Sequence, residues 1–86
     1  MKLNKNFIVH NTAEESLLVP NGGAEFSGLV RGNKTFGAVL ELLHSETSEA
    51  AIIAALCDKF DAPESVIIDD VRTALTNLRG IGALDE

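Results

Sequence analysis

Apolar positions along the chain change their spacing near residue 33, from alternation to a helical period. Before that point, Phe7-Ile8-Val9-His10 is a β-branched and aromatic run that predicts a strand, followed by turn-forming Asn11-Thr12. Ser16-Leu17-Leu18-Val19 predicts a second strand. It closes at Pro20-Asn21-Gly22-Gly23, where Pro ends a hydrogen-bonded ladder and Asn and Gly tolerate positive φ. Residues 25–31 predict a third, with Phe26, Gly28 and Val30 on one face and Ser27, Leu29 and Arg31 on the other. Gly28 weakens that strand and fits a bulge or a close backbone approach.

After residue 33, Phe36, Val39, Leu40 and Leu43 follow i, i+3, i+4, i+7 spacing, behind a cap at Asn33 or Thr35. A second helix is expected to start at Thr47, with Glu49 in its first turn and Ile52, Ile53, Leu56 and Phe60 as its apolar stripe. Asp61-Ala62-Pro63-Glu64 fits a capping-box-like start for a third, which carries Ile67, Ile68, Val71, Ala74, Leu75 and Leu78 inward. Gly80 suits the left-handed residue after its end, with Ile81 for the accompanying apolar contact, and the tail is expected to fold back through Leu84. Three strands followed by three helices predict an α+β domain spanning residues 1–86.

Charge narrows what such a domain does. The chain carries a net charge of -6, divided very unevenly: +1 over residues 1–40 and -7 over residues 41–86. Lys and Arg supply most non-specific affinity for phosphates, so this balance opposes nucleic acid and an anionic membrane surface alike. With 45% apolar and 23% charged residues, the composition is that of a folded domain rather than a disordered one. At 86 residues the core is thin and leaves little room for a deep catalytic cleft. Cys57 stands alone, so no internal disulfide is possible. No apolar run follows the opening Met1-Lys2-Leu3-Asn4-Lys5 and none has the length of a membrane span, so the cytoplasm is the expected compartment.

Catalytic and metal-binding patterns are missing from the sequence. A nucleophile needs a base within hydrogen-bond reach, and His10 and His44 lie on different elements with no Gly-x-Ser-x-Gly or Cys-centred motif. One cysteine and two scattered histidines do not make a zinc site. Asp69 and Asp70 diverge by about 100° on a helix and do not converge on one cation. Arg31-Gly32-Asn33-Lys34-Thr35 lacks the ending and the upstream glycine of a phosphate loop.

Taken in order, several segments resemble a known family. Residues 29–43 run a strand into an Asn-x-Thr cap and an apolar helix that ends in Leu-Leu. Thr47-Ser48-Glu49-Ala50-Ala51-Ile52 follows, then Leu56 and Phe60-Asp61, then Asp70-Val71, Leu75, Leu78 and Gly80-Ile81-Gly82-Ala83-Leu84. Together they resemble the PqqD-like family, named for the small protein that assists pyrroloquinoline quinone biosynthesis and known as the recognition element for ribosomally made, post-translationally modified peptides. The resemblance covers about residues 5–84 and rests on order and spacing rather than on one motif.

It implies a winged helix-turn-helix-like fold with no catalysis and no cofactor. A precursor peptide's leader would dock as an extra strand on the third strand, beside the third helix. The bound peptide would be presented to a modifying enzyme, commonly of the radical S-adenosylmethionine type. It implies no particular peptide or pathway. An exposed edge strand is a physically sound receptor, because its unpaired N–H and C=O groups pair with any incoming backbone. On that basis Ser27, Gly28, Leu29, Val30 and Arg31 supply the main-chain ladder. A helical wheel centred on Val71 puts Ile68 and Arg72 on one shoulder with Leu75 just inside. Leu29, Ile68 and Leu75 are then expected to form apolar pockets, and Arg31 and Arg72 to meet carboxylates and aid the encounter with an acidic leader.

Three other readings share the architecture or the charge. A DNA-binding winged helix would use the third helix, which presents Glu64, Asp69 and Asp70 beside only Arg72 and Arg79, and acids there repel phosphates. An acyl or peptidyl carrier protein would use Ser65, in Glu64-Ser65-Val66, but such proteins are helical throughout. A homodimer could pair or swap the same edge strand that would receive a peptide.

Overall fold

A computed structural model describes residues 1–13, 15–21 and 30–86. The elements run β1 (Lys2–Leu3), β2 (Phe7–Asn11), β3 (Ser16–Pro20), β4 (Val30–Gly32), α1 (Lys34–Leu42), α2 (Glu49–Lys59), α3 (Glu64–Gly80) and β5 (Leu84–Asp85). The expected succession of three antiparallel strands and three helices is present, with β2, β3 and β4 side by side in chain order. These strands take the chain away from the all-helical architecture that a carrier protein requires. Of the third expected strand, residues 25–29 lie outside the described residues, and the described part extends to Gly32.

Side-chain alternation seats the sheet on the helices. Phe7 and Leu18 point inward and are buried, whereas Ile8 and His10 face outward and are exposed. Leu18 joins Val39 and Leu40 of α1 and its C-cap Leu43, Ile52 and Leu56 of α2, and Ile67, Val71, Leu75 and Leu78 of α3 in one core, each of these ten side chains at most 2% exposed. Burying each large aliphatic is worth about 1.5–3 kcal/mol, so this cluster holds the three helices to the sheet. Cys57 is half-buried and packs against the same core.

The helix ends follow the sequence in one case and depart from it in three. Asn33 caps α1, its side chain accepting from the Phe36 amide at 3.0 Å. For α2 the cap is Ser48 rather than Thr47: the Ser48 hydroxyl accepts from the Ala51 amide at 3.2 Å, while the Thr47 amide is tied back to the Met1 carbonyl at 2.8 Å. α3 starts behind Pro63 with no side-chain cap, because the cap position falls on Pro63, whose ring has no oxygen to offer the free amides, and not on Asp61. At its other end Gly80 stays helical and Gly82 takes the left-handed conformation, φ 73°. The amides of Gly82 and Ala83 return to the carbonyls of Arg79 and Leu78 at 3.1 and 2.9 Å, a Schellman closure with Ala83 and Leu78 both buried.

That closure aims the tail at the start of the chain. Leu84 does fold back, and it does so by pairing β5 with β1, Lys2 opposite Asp85 and Leu3 opposite Leu84. Neither two-residue strand is long enough to leave a pattern in the sequence. The Asn4 amide donates to the Ala83 carbonyl at 2.7 Å and the Leu3 amide to the Leu43 carbonyl at 2.8 Å, so the small sheet is anchored to the helices. No helix among the described residues is long and apolar enough to cross a membrane.

Candidate functional site

Ladder phase decides which backbone groups the sheet leaves open. The Asn21 amide donates to the Asn6 carbonyl at 2.8 Å and the Thr12 amide to the Glu15 carbonyl at 2.9 Å. In an antiparallel ladder hydrogen-bonded pairs alternate, so Ile8 with Val19 and His10 with Leu17 are the bonded pairs between them. Ser16 and Leu18 therefore direct their backbone groups at β4, onto Gly32 and Val30. Arg31 falls between those pairs, and its main-chain N–H and C=O point away from β3. β4 ends the sheet among the described residues, because the tail that could have covered it pairs with β1.

Beside this edge lies a trough of about 230 Å³, between β4, the start of α1 and one stripe of α3. Val30, Phe36 and Ala74 form its apolar part, and Arg31, Gly32, Asn33 and Thr35 its strand side. Asp70, Thr73 and Asn77 join Ala74 on the helical wall, at the i, i+3, i+4, i+7 spacing that brings residues to one stripe. Local sequence builds this shape. A Cβ on Gly32 would lie 2.1 Å from the Phe36 ring, so only glycine lets the ring cover the strand end. The Asn33 cap then holds the first turn of α1, and Phe36 with it, at the mouth of the trough.

Charges on α3 are divided between partners. The Arg72 guanidinium lies 3.7 Å from Glu49 of α2, and that of Arg79 is 3.1 Å from Glu86 and hydrogen-bonded to it by two nitrogens. The bond from Arg79 holds the Glu86 carboxyl below its ordinary range. Asp70 is exposed on the trough wall and has no cation within 4 Å among the described residues. No group of three His, Cys, Asp or Glu side chains among the described residues is placed to hold a metal ion.

The expected site residues are distributed as follows. Ser27, Gly28 and Leu29 lie outside the described residues. Val30 and Arg31 line the trough. Leu75 is fully enclosed in the core, Ile68 is half-buried, and Arg72 faces α2, so none of these three lines the trough. Phe36 and Ala74 were expected only as apolar stripe positions and Asp70 only as an acid of the third helix, while Thr73 and Asn77 carried no expectation. The signal for Asp70, Ala74 and Asn77 was the second shoulder of the α3 wheel, opposite the one occupied by Ile68 and Arg72.

A family model described as coenzyme PQQ synthesis protein D (PqqD) matches residues 16–84. No curated protein matches the sequence. Among solved structures, that of TbiB1 in complex with the TbiA(beta) leader peptide superposes with a TM-score of 0.78 at 16% identity, covering 99% of this chain and 95% of that one. Lasso peptide synthetase B1 complexed with the leader peptide superposes with a TM-score of 0.72 at 17% identity, covering 95% of this chain and 93% of that one. At such identities the likeness is one of fold.

Proposed function

The chain belongs to the family of coenzyme PQQ synthesis protein D, and from that premise we propose that it is a non-catalytic peptide-binding chaperone. It takes the leader of a ribosomally made precursor peptide as an added strand on β4 and presents it to a modifying enzyme, of radical S-adenosylmethionine or another peptide-modifying type. The carrying observation is the open Arg31 backbone at the edge of the sheet, next to a trough of about 230 Å³ between β4 and α3. Backbone pairing supplies affinity with little regard for sequence, and alternate side chains of the guest enter the trough and supply selectivity. Two relatives in fold were solved with leader peptides bound, which supports the same use of this chain.

The test is a titration of isotope-labelled protein with synthetic leaders taken from short reading frames that neighbour its gene. Amide resonances of residues 30–33 and 70–77 should shift, and hydrogen exchange at Arg31 should slow. Binding that moves only resonances elsewhere, or no binding by any such leader, would overturn the proposal.

A further inference from the structure

We infer that the guest segment accepted by this trough carries a lysine or arginine that pairs with Asp70, close to an apolar residue seated against Phe36 and Ala74. The inference rests on the leader-binding reading and names the chemistry that reading leaves open. Strand addition points every second guest side chain toward α3, so successive inward residues meet different parts of the wall. One part is apolar, formed by Val30, Phe36 and Ala74, and the other is Asp70 flanked by Thr73 and Asn77.

Charge decides what the second part accepts. The two arginines of α3 are engaged by Glu49 and Glu86, which leaves Asp70 on the trough wall with no cation within 4 Å among the described residues. On β4, Arg31 pairs across to Leu17, on the face of the sheet opposite to Val30 and Leu18. Its main chain is offered to the guest while its side chain rises from the outer face. An ammonium or guanidinium entering beside Asp70 gains a charge-assisted hydrogen bond, and the Thr73 hydroxyl and Asn77 amide oxygen can accept its remaining protons. A carboxylate in the same place is repelled by Asp70, which gives discrimination as well as affinity. The whole molecule acts in the same direction, since a net charge of -6 steers cationic segments toward it and acidic ones away.

The probe is a displayed library of random 12-residue peptides, selected on the wild-type chain and counter-selected on Thr73→Trp, which fills the trough with a neutral ring from an exposed position. Peptides held by the wild type and released by Thr73→Trp should share a Lys or Arg two residues from an apolar position. In a synthetic copy, replacing that base by Ala should weaken binding about three- to tenfold, Asp70→Asn should do the same, and the two losses should not add. Asp70→Lys should prefer the Glu-containing peptide. Trough-dependent peptides without a basic position, or additive losses, would overturn the inference and leave leader binding standing. Failure of the wild-type chain to yield any peptide that Thr73→Trp releases would overturn the leader-binding reading itself.

Discussion

Gly37 of α1 lies directly on Ser16 of β3: a Cβ added to Gly37 would fall 2.0 Å from the Ser16 Oγ and 3.0 Å from its Cβ. Both residues are buried, and the absence of a side chain at Gly37 lets α1 lie close on β3. Gly37→Ala should therefore destabilise the fold by about 1–3 kcal/mol, even though alanine favours a helix by about 1 kcal/mol over glycine. Urea denaturation measures the loss. Ser16→Ala should relieve only part of it, because the β-carbon remains close, and Ser16→Gly should relieve most. A double variant with Ser16→Gly that is no more stable than Gly37→Ala alone would refute the contact as the cause.

The two glycines after Leu78 should respond in opposite directions. Gly82 sits at φ 73°, where a side chain is strained, and Gly82→Ala should cost about 1 kcal/mol. Gly80 is helical with open space around its Cβ position, and Gly80→Ala should stabilise by about 0.4–1 kcal/mol. Thermal melts of both variants side by side decide the point.

Ser48→Ala removes the oxygen that receives the Ala51 amide and should cost about 1 kcal/mol. Thr47→Ala keeps the backbone bond to Met1 and should lie within about 0.5 kcal/mol of the parent chain. Equal losses at the two positions would mean that the cap is shared.

Acid should expose the Arg79–Glu86 pair. The hydrogen bond from Arg79 lowers the Glu86 pKa from its ordinary 4.5, so the pair's contribution is full above that value and is lost as pH falls through the lower folded one. The melting temperature of Glu86→Gln should fall slightly below that of the parent at pH 7, with the gap closing as the pH drops below 4.5. Salt should narrow the gap at neutral pH, since both groups are exposed. A gap that survives in acid would assign it to packing instead of charge.

Much of the fold was legible because local chemistry controls it. The β-branched and apolar runs of β2 and β3 with the turn residues that bound them, the stripe Phe36-Val39-Leu40-Leu43 and the Asn33 cap each act within a few residues, and each is found where the pattern puts it. The α2 and α3 ends were less legible because neighbouring residues offered equal chemistry. Thr47 and Ser48 are both able caps, and Gly80 and Gly82 both tolerate positive φ, so the choice fell to contacts from Met1 and Ala83. The pairing of β1 with β5 joins the two ends of the chain and has no local signal at all.

The candidate site divides along the same line. Sequence alone determined that β4 leads into a capped helix, that the centre of the buried face of α3 is Val71, and that the acids gather in the C-terminal half. It did not determine which shoulder of α3 borders β4. A helical wheel is symmetric about its buried centre, so Ile68 and Arg72 on one side and Asp70, Ala74 and Asn77 on the other are equivalent until neighbours are placed. Only the handedness of the packed structure, with α2 beside Arg72 and β4 beside Asp70, separates them.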